Sequence, residues 1–404
     1  KIVTQAHKDF IADPAVIRQA KTLKRVLENV SIWIADNELI VGNQAKKPRY
    51  APIFPEFSFD WIIDQLENYP FELRSADRFD IDEETKNDLR SIQEYWKGKT
   101  VNDRVKARLP EETFEAIKTS AVYTFANAFA PDVVICSGIG HCSPNYKTIL
   151  TKGFLQIKKD AENNIQSMGI PANGRDLDKH NFWRSVIISC EAVIAFAKRY
   201  SELAKKMANE ETNDIRKKEL EEIAVVCERV PAFPASSFHE ACQSFYFFQL
   251  VLQLESSGHS ISPGRFDQYM YPYYKADIES AKLNQEQALE ILECLWVKLA
   301  EINKVRPIGG TKTAGGYPMF QNLCVGGQTR EGQDATNDLS YLCLDASKNI
   351  GLHQPSISAR IWNFTPEEFW KKVIQVIKTG IGMPALYNDE VIIPGMLNRG
   401  KSVE

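Results

Sequence analysis

No C-x-x-C pair occurs among the eight cysteines, Cys136, Cys142, Cys190, Cys227, Cys242, Cys294, Cys324 and Cys343. A zinc ribbon or a disulfide framework is therefore not expected, and a reducing compartment is. Long apolar runs are missing as well. The most apolar uncharged stretch, Ala241 to Leu254, falls short of the ~20 residues a membrane span needs and carries three glutamines and one serine. An excess of one charge sign is absent too: 49 basic against 53 acidic side chains leave a net charge of −4, with no block of either kind. That balance gives no general attraction to nucleic acid or to an anionic membrane. Low complexity is excluded by 10% aromatic and 44% hydrophobic residues. Nothing in Lys1 to Arg18 has the apolar core of a secretory signal. A cytoplasmic protein without membrane or nucleic-acid partners is the expectation.

The 404 residues can bury about three quarters of their unfolded surface, enough for a sizeable core. The pattern is helix-rich α/β, with short apolar strands between Gly/Pro loops. Ser31 to Gly42 (SIWIADNELIVG) reads as a hairpin turning at Asp36-Asn37. Val186 to Met207 reads as a long amphipathic helix. Ser237 with Glu240, and Asn284 with Gln287, have capping-box spacing and open two more helices. A fourth is expected from Pro366 to about Thr379. Glycine pairs then divide the chain into extended pieces, of which Phe320 to Val325 and Ser356 to Trp362 are the expected strands. No repeat or linker cuts the chain, so residues 1–404 read as a single domain or part of one.

Two glycine-rich loops carry the candidate chemistry. The first, Cys136-Ser-Gly-Ile-Gly-His-Cys-Ser-Pro144, places His141 beside glycines that allow tight backbone turns. The alternative is a loop histidine with only a local hydrogen bond. The second is Gly258-His-Ser-Ile-Ser-Pro-Gly-Arg265. His259 lies just past the end of a buried helix, where the partial negative charge favours imidazolium and, with Ser260, a proton donor to a leaving hydroxyl. A capping histidine beside a turn serine is the competing reading. Gly326-Gly327-Gln328 lacks the Lys-Ser/Thr of a phosphate loop. Asn388-Asp389-Glu390 reads as a solvated or salt-bridged turn, and Tyr269, Tyr271, Tyr273 and Tyr274 as packing.

The segment ESSGHSISPGRFDQYMYPYYKADIE (255–279) closely resembles glycyl radical enzymes of the B12-independent glycerol/propanediol dehydratase type. So do IWIADNELIVGNQ, GIGHCSPNY (138–146), GGYPMFQNLCVGGQ (315–328), QPSISARIWNFTPEEF (354–369) and GMPALYNDEVIIP (382–394), in order along nearly the whole chain. The resemblance places the chain in the pyruvate formate-lyase superfamily. It implies a ten-stranded α/β barrel of two half-barrels wrapped in helices. It also implies a radical installed on a glycine by an S-adenosylmethionine/iron–sulfur activating enzyme, no directly bound cofactor, and a homodimer. In such dehydratases two histidines and a serine contact the hydroxyls of a small diol, and these match His141, His259 and Ser260.

Two departures bear on the substrate. Phe320 stands where the glycerol dehydratase has a tyrosine, and Val133 stands where it has a substrate-contacting asparagine eight residues before the first histidine. Fewer hydroxyl partners point away from glycerol and leave propane-1,2-diol, or C–S or C–N cleavage, open. The Gly-Cys-x-Glu thiyl loop and the C-terminal glycyl loop do not occur in these residues. The expectation is therefore the N-terminal portion of a glycyl radical lyase, inactive alone, that when full length dehydrates a small 1,2-diol to an aldehyde. The alternatives are another glycyl radical lyase, a formate acetyltransferase-like enzyme, or a short paralogue that only binds a partner or ligand.

Overall fold

The stretch that came nearest to a membrane span is the axis of the fold. In the computed structural model, which describes residues 1–119, 121, 135–314 and 319–402, the Phe238–Glu255 helix is buried on every side except at Phe248, Leu252 and Glu255. No helix among the described residues is long and apolar enough to cross a membrane. Ser237 caps the helix, its Oγ accepting from Glu240 N at 3.2 Å. The Glu240 carboxylate does not return the bond; it accepts from Ser236 N and Oγ at 2.7 and 2.9 Å. The reciprocal box does form at Asn284 and Gln287. Phe245, Phe247, Leu250 and Leu254 join Phe196, Tyr200 and Trp296 in the main core, and each such burial contributes roughly 1.5–3 kcal/mol.

The glutamines of this helix wire loops to the core. Gln243 Nε2 donates to Val41 O and its Oε1 accepts from Val41 N, both at 2.8 Å. Gln249 Nε2 donates to Ile261 O at 2.9 Å and to Gln321 Oε1 at 2.8 Å, while its Oε1 accepts from the Tyr146 hydroxyl. These bonds correct the hairpin expected at Ser31 to Gly42, which forms no strand pair. Its backbone is satisfied by side chains instead: Gln243 at Val41, the Tyr200 hydroxyl at Asn43, and Arg216 at Ala35 and Glu38. A chain whose polar groups are met this way has no need of a partner strand.

The long helix runs Gly174–Glu210, three turns earlier than its apolar stripe suggests, because Asn173 caps it and its first turns are exposed. The fourth helix is Glu367–Ile377, with Pro366 in the cap position. β1 (Asn322–Gly326), β2 (Ser356–Ile361) and β3 (Ala385–Asn388) form a parallel sheet in that order. Strand β1 starts two residues later than expected because Phe320 adopts φ 51°. Two parallel bridges, Cys142↔Ile261 and Gly264↔Leu323, extend the array beyond β1 in the same sense. A second core cluster of Phe59, Trp61, Phe71 and Trp96 includes Cys136, and Asn102 Oδ1 accepts from Ile135 N at 3.1 Å. Together they fix the root of the first candidate loop.

Candidate functional site

The two glycine-rich loops lie side by side, and the glycines are what allow it. His141 N donates to His259 O at 2.9 Å, Cys142 N to Ser260 O at 3.1 Å, and Ser262 N to Cys142 O at 2.8 Å. A Cβ on Gly140 would sit 2.1 Å from His259 O, and one on Gly258 would sit 1.6 Å from Ile139 O. A third segment joins on the far side, where Ser260 N donates to Met319 O at 2.9 Å. His141 and His259 thereby face each other edge-on, ring centroids 4.6 Å apart at 73°. Phe320 lies beyond, 6.0 Å from the His259 ring. His141 and Phe320 are exposed, whereas His259 is buried.

Four sequence candidates are thus brought together: His141, His259, Ser260 and Phe320. Val133 lies outside the described residues. Seven non-glycine residues among those described have positive φ, and three of them are His141 (53°), Ser260 (57°) and Phe320 (51°). Such backbone costs a non-glycine residue of order 1–3 kcal/mol and clusters at functional sites.

The expectation of a protonated His259 does not hold. Burial first, then the Arg306 guanidinium and the facing His141, bring its pKa down to about 4. The negative end of the central helix is met by other basic side chains. Lys304 donates to Gln253 O and, at 2.9 Å, to Ser256 O. Arg306 donates to Ser257 Oγ at 2.8 Å and to Ser257 O. Both are buried. They do the capping that the sequence had offered to the histidine. His259 therefore enters the site as a neutral ring, able to donate from one nitrogen and accept at the other.

Sequence reasoning missed Lys304 and Arg306, as well as Glu56. The available signal was the Lys-x-Arg-Pro run directly after a buried helix, which reads as solvated charge until the turn is seen to fold inward. Glu56 Oε2 is enclosed and makes no hydrogen bond among the described residues. Burial pushes its pKa from 4.5 up to about 7, against the pull of Lys304. The fold then holds a proton that the unfolded chain releases, so stability should fall as pH rises from about 4.5 to about 7 and level off above. Glu56→Gln removes that titration and is expected to flatten this part of the pH dependence of urea midpoints; an unchanged slope would discount the buried carboxyl.

Other candidates stand apart from the histidines. Arg265 donates to Gln328 O at 2.8 Å and Gly326 O at 3.0 Å, at the other end of the strands. Asp389 is buried in a bidentate pair with Arg360 at 2.7 and 2.9 Å, the salt-bridged form of the expected turn. Tyr269 stacks on Tyr146 as packing. All eight cysteines are unpaired, and of these only Cys142 is exposed. Among the described residues no three His, Cys, Asp or Glu side chains converge as a metal site would require.

Comparison with known proteins shows the family. The family model for pyruvate formate lyase-like proteins matches residues 1–404. A solved structure concerned with 1,2-propanediol dehydration in Roseburia inulinivorans superposes with a TM-score of 0.94 at 44% identity, covering 100% of this chain and 49% of that one. The glycerol-bound B12-independent glycerol dehydratase from Clostridium butyricum gives 0.93 at 44% identity, with 100% and 50% covered. An isethionate sulfite-lyase from Oleidesulfovibrio alaskensis is 35% identical over 421 residues, 100% of this chain and 49% of its own length. The chain thus spans about half the length of the relatives it matches. It belongs to the pyruvate formate lyase-like family of glycyl radical enzymes.

Proposed function

We propose that the full-length protein is a glycyl radical dehydratase that converts a small 1,2-diol, propane-1,2-diol in preference to glycerol, to an aldehyde. The observation that supports it is the convergence of His141, Ser260 and Phe320, all held at positive φ, around the neutral ring of His259. In this reading residues 1–404 are the N-terminal portion, and the five parallel segments make up half of a barrel that the remaining chain completes. The glycyl radical, installed by an S-adenosylmethionine/iron–sulfur activating enzyme, supplies abstraction of a hydrogen atom from substrate carbon.

The residues of this chain bind and move protons. His259, neutral and buried, orients one hydroxyl by donating to it or accepting from it. Ser260 offers a hydroxyl beside it. His141, the exposed partner in the pair, delivers a proton to the departing hydroxyl, since elimination of hydroxide without an acid is slow. Phe320 sets an apolar ring where a third hydroxyl would otherwise find a partner, which suits a methyl group.

Activated full-length protein should release propanal from propane-1,2-diol with a higher kcat/KM than it shows on glycerol. Sulfite released from isethionate, with no aldehyde from either diol, would replace this reading by the C–S lyase reading that the 35% identical relative keeps open. Phe320→Tyr restores one hydroxyl and is expected to raise the glycerol-to-propanediol ratio of kcat/KM by roughly 2–10-fold, the worth of one neutral hydrogen bond. An unchanged ratio would remove Phe320 from the specificity argument.

A further inference from the structure

Three observations meet behind the His259 loop. The segment Ser256-Ser257-Gly258 is fastened from one side by two buried basic side chains, Lys304 on Ser256 O and Arg306 on both the carbonyl and the hydroxyl of Ser257. From the other side it is closed by the first loop: Gly258 has no room for a Cβ, and Ser256 Oγ donates to Ile139 O at 3.4 Å. The guanidinium also donates to Val305 O at 3.1 Å, so its plane is fixed by its own backbone as well as by Ser257. Backbone motion that would let the imidazole turn away is blocked on both sides.

We propose that Arg306 is a positioning residue for His259: through its fork on Ser257 it fixes the orientation in which the imidazole faces the site. The proposal rests on the reading of His259 as a substrate-facing residue. Among the described residues, the His141 ring from the first loop and the Phe320 ring from the segment before β1 face this imidazole, and the charge of Arg306 from the 304–306 turn acts on it. Burial first, then the Arg306 guanidinium, push the Lys304 ammonium down, with the Glu56 carboxyl opposing, and the buried Cys136 thiol also feels the guanidinium. The guanidinium and the Lys304 amine group, buried at the end of one helix, satisfy orphan carbonyls that would otherwise favour a proton on the nearby ring. Lysine could supply the charge but not the planar, two-pronged grip.

The test is a titration of His259 in full-length protein labelled with 13C at histidine Cε1, the resonance being assigned by its loss in His259→Gln. Wild-type His259 is expected to stay neutral down to about pH 4. Arg306→Gln should raise its midpoint by roughly one pH unit, less than the whole displacement because burial remains. Arg306→Lys should hold the midpoint low, yet lower kcat/KM on the diol about tenfold through lost orientation. An Arg306→Gln midpoint equal to wild type overturns the proposal. If that variant does not fold, Ser257→Ala removes one guanidinium contact while leaving the charge in place. Its midpoint should stay low, as in Arg306→Lys, while the His259 Cε1 resonance shifts and broadens as the ring loses its fixed orientation; an unchanged resonance overturns the proposal equally. The titration needs no turnover, so an enzyme with a different substrate would fail the aldehyde assay and still pass or fail here on its own terms.

Discussion

His141→Ala in activated full-length protein is expected to lower kcat for diol dehydration by about 10²–10⁴, with the glycyl radical signal intact in electron paramagnetic resonance. The magnitude is that of a positioned general acid. The assignment follows from the asymmetry of the two rings. They face each other across 4.6 Å, but His259 is buried beside Arg306 and neutral down to about pH 4. A neutral ring can hold a hydroxyl yet is a poor proton donor to one that leaves. His259→Gln, which keeps a donor and an acceptor, is expected to cost only about tenfold. If His259→Gln proves as damaging as His141→Ala while the radical yield is unchanged, the roles of the two histidines are reversed.

Gly258→Ala is expected to destabilise the fold by at least about 3 kcal/mol and to abolish turnover, because its Cβ would overlap backbone that cannot yield. The nearest atoms are Ile139 O at 1.6 Å and Ile139 C at 2.4 Å, not the end of a flexible side chain. Gly140→Ala meets His259 O at 2.1 Å and should behave similarly. Either methyl group forces the loops apart and breaks the bonds from His141 N to His259 O and from Cys142 N to Ser260 O. Gly174→Ala is the matching control: nothing lies within 4 Å of its Cβ and it begins a helix. Its urea midpoint should correspond to a change within about 0.5 kcal/mol. Equal midpoints for Gly258→Ala and Gly174→Ala would mean that the loops are not interlocked.

The sequence made the helix ends and the site loops legible to different degrees. Ser237, Asn284 and Pro366 announce their helices locally, through caps that need only a few residues. Asn322–Gly326 and Ser356–Ile361 are visible as short apolar runs between glycines. The hairpin at Ser31 to Gly42 misled because its partner is a glutamine side chain more than 200 positions away, and no local pattern encodes that bond. The proton state of His259 misled for the same reason. Proximity to a helix end is written in the chain, but the arrival of Lys304 and Arg306 at that end is a tertiary fact. Glycines 138, 140 and 258 were legible as turn-formers. Their actual role, letting two backbones touch, depends on which loops the fold brings together.

The interlock has a practical corollary for redesigning specificity. Residues 138–143 and 256–262 share hydrogen bonds and leave no space between their glycines, so they behave as one inheritable cassette. Transplanting either loop alone from a relative would set a foreign backbone against Ile139 or His259. The two would have to be exchanged together, whereas Phe320, exposed on the adjoining segment, can be varied alone. A library that randomises position 320 while leaving the paired loops untouched is therefore the shorter route to an altered substrate preference.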